Sequence, residues 1–463
     1  MKKTLPILLL LLVLSVGATA QKGHRIRIKI RNYPFPQLLM TAYYGDKVLL
    51  IDTADMSPER EFIFAGDSLL PQGIYMAVSP EKHKLFEYIV SDDQQFLLSS
   101  DTVDYIREMG VQGSEDNTLF YQFLQLSERL YRENQVNREK LKSLGENTTE
   151  YEKLSAQIDS ANRVAVDFKL EIINKHPALL TGAIFNATRD VIIPDEVLAS
   201  GDSLAPYRYM KAHYWDYLDL SDDRLLRTPI LARKVDQYFR QMVPNHPDSV
   251  IRDIDRVIAL SRPSREVTSW LLWHFMSIYQ NPEYMGFDVV FIHLVDTYFS
   301  KEDVLNMTPS IKNSLEERAE QMRPLILGSP APDLILIDTA GKYRSFRELS
   351  HDYIILFFWD YDCGICKKES KVLKELYAEK PFDLEIYGIC VNSDLELWKQ
   401  RLVENGFQWV NVNGTRSMTE DFHDLYDTHG TPVIFILDRD YRIIAKNIAA
   451  DQIVPFLSSY SRK

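Results

Sequence analysis

Residues 353–366 constrain the fold of this chain more than any other stretch: Tyr-Ile-Ile-Leu-Phe-Phe-Trp-Asp-Tyr-Asp-Cys-Gly-Ile-Cys. The apolar run from Tyr353 to Trp359 has the length and the β-branched, aromatic bias of a strand buried on both faces. It breaks at Asp360-Tyr361-Asp362 and meets Cys363-Gly-Ile-Cys366. Val372, Leu373, Leu376 and Tyr377 then continue the 3.6-residue period of Ile365, so the second cysteine falls in the first turn of a helix. A helix N-terminus offers unpaired N–H groups and partial positive charge, which favour thiolate over thiol at the first cysteine. The two-residue spacer lets the second cysteine reach back and close a disulfide. A zinc site would need two further ligands. The chain has three cysteines, and the third, Cys390, belongs to no second pair. The expected centre is therefore a redox dithiol that holds no metal and needs no cofactor.

The N-terminus reads as a leader rather than as part of a fold. Lys2-Lys3 precede an apolar core, Leu5 to Val16, and Ala18-Thr19-Ala20 is a small-residue cleavage site. Residues 1–20 are expected to be a signal peptide cut after Ala20, with export to a bacterial periplasm. No cysteine follows the apolar core, which argues against a lipid anchor, and no later stretch has the length of a membrane span. Loss of Lys2 and Lys3 takes the formal charge from −13 to −15. So acidic a surface excludes nucleic acid and anionic membrane as expected partners. An oxidising compartment with so few cysteines cannot hold a disulfide framework, which again makes the vicinal pair a working centre.

At 463 residues the chain exceeds one core, and its patterning changes twice. From His24 isoleucines alternate with basic residues, and short strands separated by Gly and Pro turns continue to about residue 98. Residues 21–113 are expected to form an all-β, sandwich-like domain with antiparallel strands and no catalytic constellation. Near Ser114 the period becomes helical and stays so to Arg323-Pro324, which predicts an all-α domain over 114–325. Its aromatic clusters, His213-Tyr214-Trp215 and Trp270-Leu-Leu-Trp273-His274-Phe275, read as helix core rather than as a ligand pocket. Strands and helices alternate over 326–463, the pattern of an α/β sheet covered on both faces.

This last segment resembles the thioredoxin-like superfamily, and within it the exported TlpA- and ResA-type thiol–disulfide oxidoreductases. The likeness rests on Gly328-Ser-Pro-Ala-Pro-Asp333, on Trp359 four residues before the first cysteine, on Lys367-Lys368-Glu369, on Gly430-Thr431-Pro432 before an apolar strand, and on the added helix and strand at 395–412. Residues 21–325 resemble domains fused ahead of such modules in Gram-negative bacteria, to which no activity attaches. The chain departs from the pattern at Asp362, Ile365, Phe357 and Ser370. The resemblance implies Cys363 as nucleophile and Cys366 as resolving thiol, with Glu369 as the acid–base group that moves the Cys366 proton. It also implies substrate contacts at Trp359, Thr431 and Pro432, the last in a cis peptide. The implied partners are protein disulfides or dithiols and a redox partner supplying electrons, in a role of redox homeostasis. Asp360 and Asp362 raise the Cys363 pKa through like charge while Lys367 and Lys368 lower it. With the carboxylates expected to win, Cys363 should titrate at about 7 rather than about 3.5, which makes the pair a reductant. Two other readings remain: a thiol peroxidase, for which Phe358 to Asp362 lack the Pro and Thr that would polarise a peroxide, and a binding or scaffold protein whose helical domain is the working part.

Overall fold

The computed structural model describes residues 23–144, 148–426, 428 and 430–462, so the expected signal peptide lies outside the described residues. The chain divides into two compact units between Met242 and Val243. The helices expected over 114–325 are accordingly shared between the two.

The first unit opens with eight strands: β1 (His24–Arg31), β2 (Gln37–Tyr44), β3 (Lys47–Asp55), β4 (Phe62–Gly66), β5 (Gly73–Val78), β6 (Lys84–Val90), β7 (Gln95–Asp101) and β8 (Gly110–Gln112). They form two four-stranded sheets, in the orders β4-β1-β7-β8 and β3-β2-β5-β6. Alternation in β1 buries Ile26, Ile28 and Ile30. Its basic face pairs with neighbouring acids, Arg27 with Glu61 and Arg31 with Asp101, which explains a charged stripe without a ligand. Tyr88 of β6 meets Phe96 of β7 with ring centroids 6.3 Å apart, so the two sheets face one another. One expectation is corrected. β1 and β7 run parallel, from Arg25 beside Gln95 to Arg31 beside Asp101, because the first strand of the domain is placed next to a late one rather than next to its hairpin neighbour.

Helices α1 (Glu115–Ser143), α2 (Thr149–Lys175), α3 (Leu180–Ala187), α4 (Asp195–Leu198), α5 (Ala205–His213) and α6 (Pro229–Gln241) complete this unit. Ser114 caps α1 by accepting from Asn117 N–H at 3.2 Å. The Asn117 amide in turn bonds both the N–H and the C=O of Ile89 in β6, at 2.8 and 2.6 Å, and so ties helix to sheet. Tyr214 and Trp215 pack around the buried Tyr238, as the core reading of that cluster requires.

The second unit begins with α7 (Pro247–Ser261), α8 (Arg265–Tyr279), α9 (Asp288–Leu294), a π turn from Val295 to Phe299, and α10 (Pro309–Met322). The α/β part then follows in order: β9 (Ile335–Asp338), β10 (Tyr343–Ser345), β11 (Tyr353–Trp359), α11 (Gly364–Glu379), β12 (Leu384–Cys390), α12 (Leu395–Asn405), β13 (Val410–Ser417), α13 (Phe422–Tyr426), β14 (Val433–Asp438), β15 (Ile443–Lys446) and α14 (Ile453–Tyr460). The seven-stranded sheet has the order β10-β9-β13-β12-β11-β14-β15. β11, β12 and β13 are parallel, and antiparallel pairs flank them on both sides.

Strand β11 shows why its sequence had to be apolar throughout. Ile355, Phe357 and Trp359 face a core with Leu373 and Leu376 of α11, Trp398 of α12, and Ile453 and Leu457 of α14. Ile354, Leu356 and Phe358 face the other layer, with Phe346, Tyr387, Phe422 and Tyr426. These six of the seven β11 residues are at most 2 % exposed. Truncating one of its aromatics would cost about 3–5 kcal/mol, so β11 is the rigid support of whatever sits at its C-terminal end. Among the described residues no helix is long and apolar enough to cross a membrane.

Candidate active site

Strand β11 ends at Trp359, and the next three residues turn the chain into α11. The Asp360 carboxylate stabilises that turn by accepting from Asp362 N–H at 2.7 Å, while Cys363 N–H bonds the Asp360 carbonyl at 3.3 Å. Cys363 is then the N-cap of α11. Its sulfur accepts from Cys366 N–H at 3.1 Å, the bond a capping serine oxygen would make. Cys366 is the third helical residue, 1 % exposed, and Cys363 is half-buried. Both are free thiols, as is the buried Cys390.

The second wall arrives through the sheet. β14 pairs antiparallel with β11 as far as Phe358 opposite Val433. That register delivers the preceding dipeptide, Thr431-Pro432, to the C-terminal end of β11. Its peptide bond is cis, and the Thr431 carbonyl lies 3.5 Å from Cys363 Sγ. Ile365 stands between the cysteines with 63 % of its surface exposed, an apolar contact beside the nucleophile.

The two thiols are driven apart electrostatically. Burial pushes the Cys363 thiol up, but hydrogen bonds from Cys366, Thr431 and the Ile365 backbone outweigh it and hold Cys363 below the ordinary thiol value. Burial, and then the hydrogen bond to Cys363, pushes Cys366 up to about 11. These bonds replace the contest of Asp360 and Asp362 against Lys367 and Lys368 that local charge had suggested; none of those four side chains ranks among the leading influences on Cys363. Burial likewise drives Cys390 up to about 12, the state of an unreactive thiol.

Other expected site residues occupy different places. Trp359 is 2 % exposed, lies in register with Cys390, and packs edge-on to Phe407 at 5.2 Å. Its expected contact with substrate is corrected to a packing role, since the segment after α12 covers it. Phe407 stacks in turn on Trp409 at 4.4 Å. The Glu369 carboxylate accepts from Ala450 N–H at 2.6 Å, which links α11 to the turn before α14. Ser370 bonds back to the Cys366 carbonyl at 2.5 Å.

Asn392 was missed from sequence. Its side chain accepts from Tyr361 N–H at 3.2 Å and donates to Asp360 Oδ1 at 3.1 Å, so it pins the turn that presents Cys363. A polar residue just beyond the apolar β12, parallel to β11, was the available signal. Among the described residues no cluster of His, Cys, Asp and Glu could hold a metal ion.

Sheet order, dithiol at a helix N-terminus and cis-proline wall together fix the class of this region, and comparison with known proteins agrees. Residues 327–446 match the AhpC/TSA family. The C-terminal region is a thioredoxin-like domain. Residues 169–324 match DUF5106, a domain of unknown function. The thiol-disulfide oxidoreductase ResA of Bacillus subtilis (strain 168) is 28 % identical over 120 residues, 25 % of this chain and 64 % of that protein. The match thus spans just under two thirds of that relative's length. Similar solved structures include a domain of a possible thiol-disulfide isomerase from Cytophaga hutchinsonii ATCC 33406, with 34 % identity over 30 % of this chain and 96 % of that one and a TM-score of 0.29. A thioredoxin-like protein from Bacteroides caccae ATCC 43185 shares 18 % identity over 59 % of this chain and 98 % of that one, with a TM-score of 0.47. The dithiol lies within the residues that match the AhpC/TSA family, and the residues that match a domain of unknown function precede them.

Proposed function

We propose that this protein is an exported thiol–disulfide oxidoreductase that reduces disulfides of other proteins in the periplasm through Cys363 and Cys366. The observation that carries the reading is the Cys363 sulfur capping α11 at 3.1 Å from Cys366 N–H, half-open to solvent beside the Thr431 carbonyl. The Cys363 thiolate attacks one sulfur of a substrate disulfide. A mixed disulfide forms on Cys363 and one substrate thiolate leaves. Cys366 then loses its proton and attacks Cys363 Sγ, releasing the second substrate thiolate and leaving a Cys363–Cys366 disulfide. Two electrons have passed to the substrate, so an external dithiol must return them. An extended substrate strand lies along Thr431-Pro432, with Ile365 as its apolar contact.

Burial opposes the hydrogen bonds that lower the Cys363 pKa, which supports the reducing direction. Equilibration with a redox buffer should give a potential nearer about −270 mV than about −120 mV. Insulin reduction driven by dithiothreitol tests the activity, and Cys366→Ser should accumulate a mixed disulfide on Cys363. Consumption of hydrogen peroxide without insulin reduction would replace the reading by a peroxidase. Glu369→Gln preserves an acceptor for Ala450 N–H and removes the titrating group. A slower second step would support Glu369 as the carrier of the Cys366 proton, and unchanged kinetics would remove it from the mechanism. Export is tested by the N-terminus of the secreted chain, expected at Gln21.

A further inference from the structure

We infer that Asn413 is a positioning residue for the dithiol, acting across β12 and through Asn392 on the turn that presents Cys363; this rests on the reading of Cys363 and Cys366 as a working redox pair. Asn413 does not suit its place. β13 lies in the parallel part of the sheet, where strands are apolar on both faces, yet its Asn413 is fully buried. Burying an amide is costly unless it is hydrogen-bonded. Asn413 Nδ2 donates to the Asn392 carbonyl at 2.9 Å. Its Oδ1 accepts from Thr415 N–H at 3.0 Å and from Thr415 Oγ1 at 2.6 Å.

These bonds extend the sheet towards the dithiol. Trp359, Cys390 and Asn413 form the last row of the parallel pairing of β11, β12 and β13. Past that row one main-chain bond, Val391 N–H to the Trp359 carbonyl at 3.0 Å, still joins β11 to β12. Side chains then take over. Asn413 reaches from β13 to the main chain of Asn392, and the Asn392 side chain reaches on to Asp360 and to Tyr361 N–H. The Asp360 carbonyl accepts from Cys363 N–H. Asn413 thus acts over two strand spacings, about 10 Å. Beside it Gly414 lets Phe422 come within 2.7 Å of where a Cβ would stand, so packing holds the far end of this chain of bonds. A fully paired buried network rigidifies what it touches. Without Asn413 the main chain at Asn392 can drift and the turn with it. The donors from Cys366, Thr431 and the Ile365 backbone that stabilise the Cys363 thiolate then lose their aim.

The test is alkylation of the full chain by iodoacetamide against pH, resolved for each cysteine, with an unmodified Cys390 as the sign that the domain is folded. Asn413→Ala should raise the Cys363 midpoint by about half a pH unit, a roughly threefold loss of thiolate at fixed pH, and slow insulin reduction about as much. Thr415→Val removes only the hydroxyl that holds Asn413 and should move both in the same direction by less. In an Asn392→Ala background neither substitution should move the midpoint further, because the route passes through Asn392. A midpoint that stays in place or falls overturns the inference, as does a shift of the same size with and without the Asn392 side chain. Where Asn413→Ala does not fold, Thr415→Val decides by the same two comparisons. Failure of the unsubstituted chain to reduce insulin would instead overturn the oxidoreductase reading, since alkylation needs no disulfide substrate.

Discussion

Two helices of this protein begin in the same way and serve different ends. Ser114 caps α1 with an oxygen 3.2 Å from Asn117 N–H; Cys363 caps α11 with a sulfur 3.1 Å from Cys366 N–H. The serine is 4 % exposed and its partner Asn117 is fully buried, bonded to β6. The cysteine is half-open, with the Thr431 carbonyl as neighbour. The capping bond is one interaction in both places. What differs is whether the capping atom can ionise and be reached from solvent. A closed cap gives stability, and an open ionisable one gives a nucleophile.

The comparison can be broken at either end. Cys363→Ser keeps a good capping oxygen and removes the nucleophile. Insulin reduction should fall to the uncatalysed background while stability in urea stays within about 1 kcal/mol. Asn117→Ala leaves the backbone groups of Ile89 buried without partners, so unfolding of the first unit should ease by about 3 kcal/mol, read by denaturant titration, with insulin reduction unchanged. Asn392→Ala frees the turn that presents Cys363. It should slow insulin reduction about tenfold, about 1.4 kcal/mol of barrier, with little change in the thermal midpoint. Ser114→Ala is the smallest, about 1 kcal/mol of stability and no kinetic effect.

The same contrast shows what the sequence could tell. The apolar run of β11, the helical period after Cys363 and Thr431-Pro432 are local patterns, and each reappears where it was expected. Local charge misled at Cys363, because Asp360 turns its carboxylate into the backbone of the turn instead of towards the sulfur. Trp359 looked available to substrate, but the packing of Phe407 depends on a segment some fifty residues on, beyond any periodic signal. The parallel pairing of β1 with β7 and the anchor at Asn392 likewise join residues far apart in the chain. Apart from the polar residue just beyond the apolar β12, a one-dimensional pattern holds no trace of such partners.

The most direct test of the open cap is alkylation by iodoacetamide as a function of pH, resolved by mass for each cysteine of the reduced protein. A depressed thiol gains reactivity at lower pH than an ordinary one, since only the thiolate reacts. Cys363 should react first, with a midpoint below the ordinary thiol value of 9.0. Cys366, buried and held above the ordinary thiol value, should react only at higher pH than Cys363, and Cys390 should stay unmodified in the folded chain. A Cys363 midpoint at or above 9.0, or faster reaction at Cys390, would contradict the account.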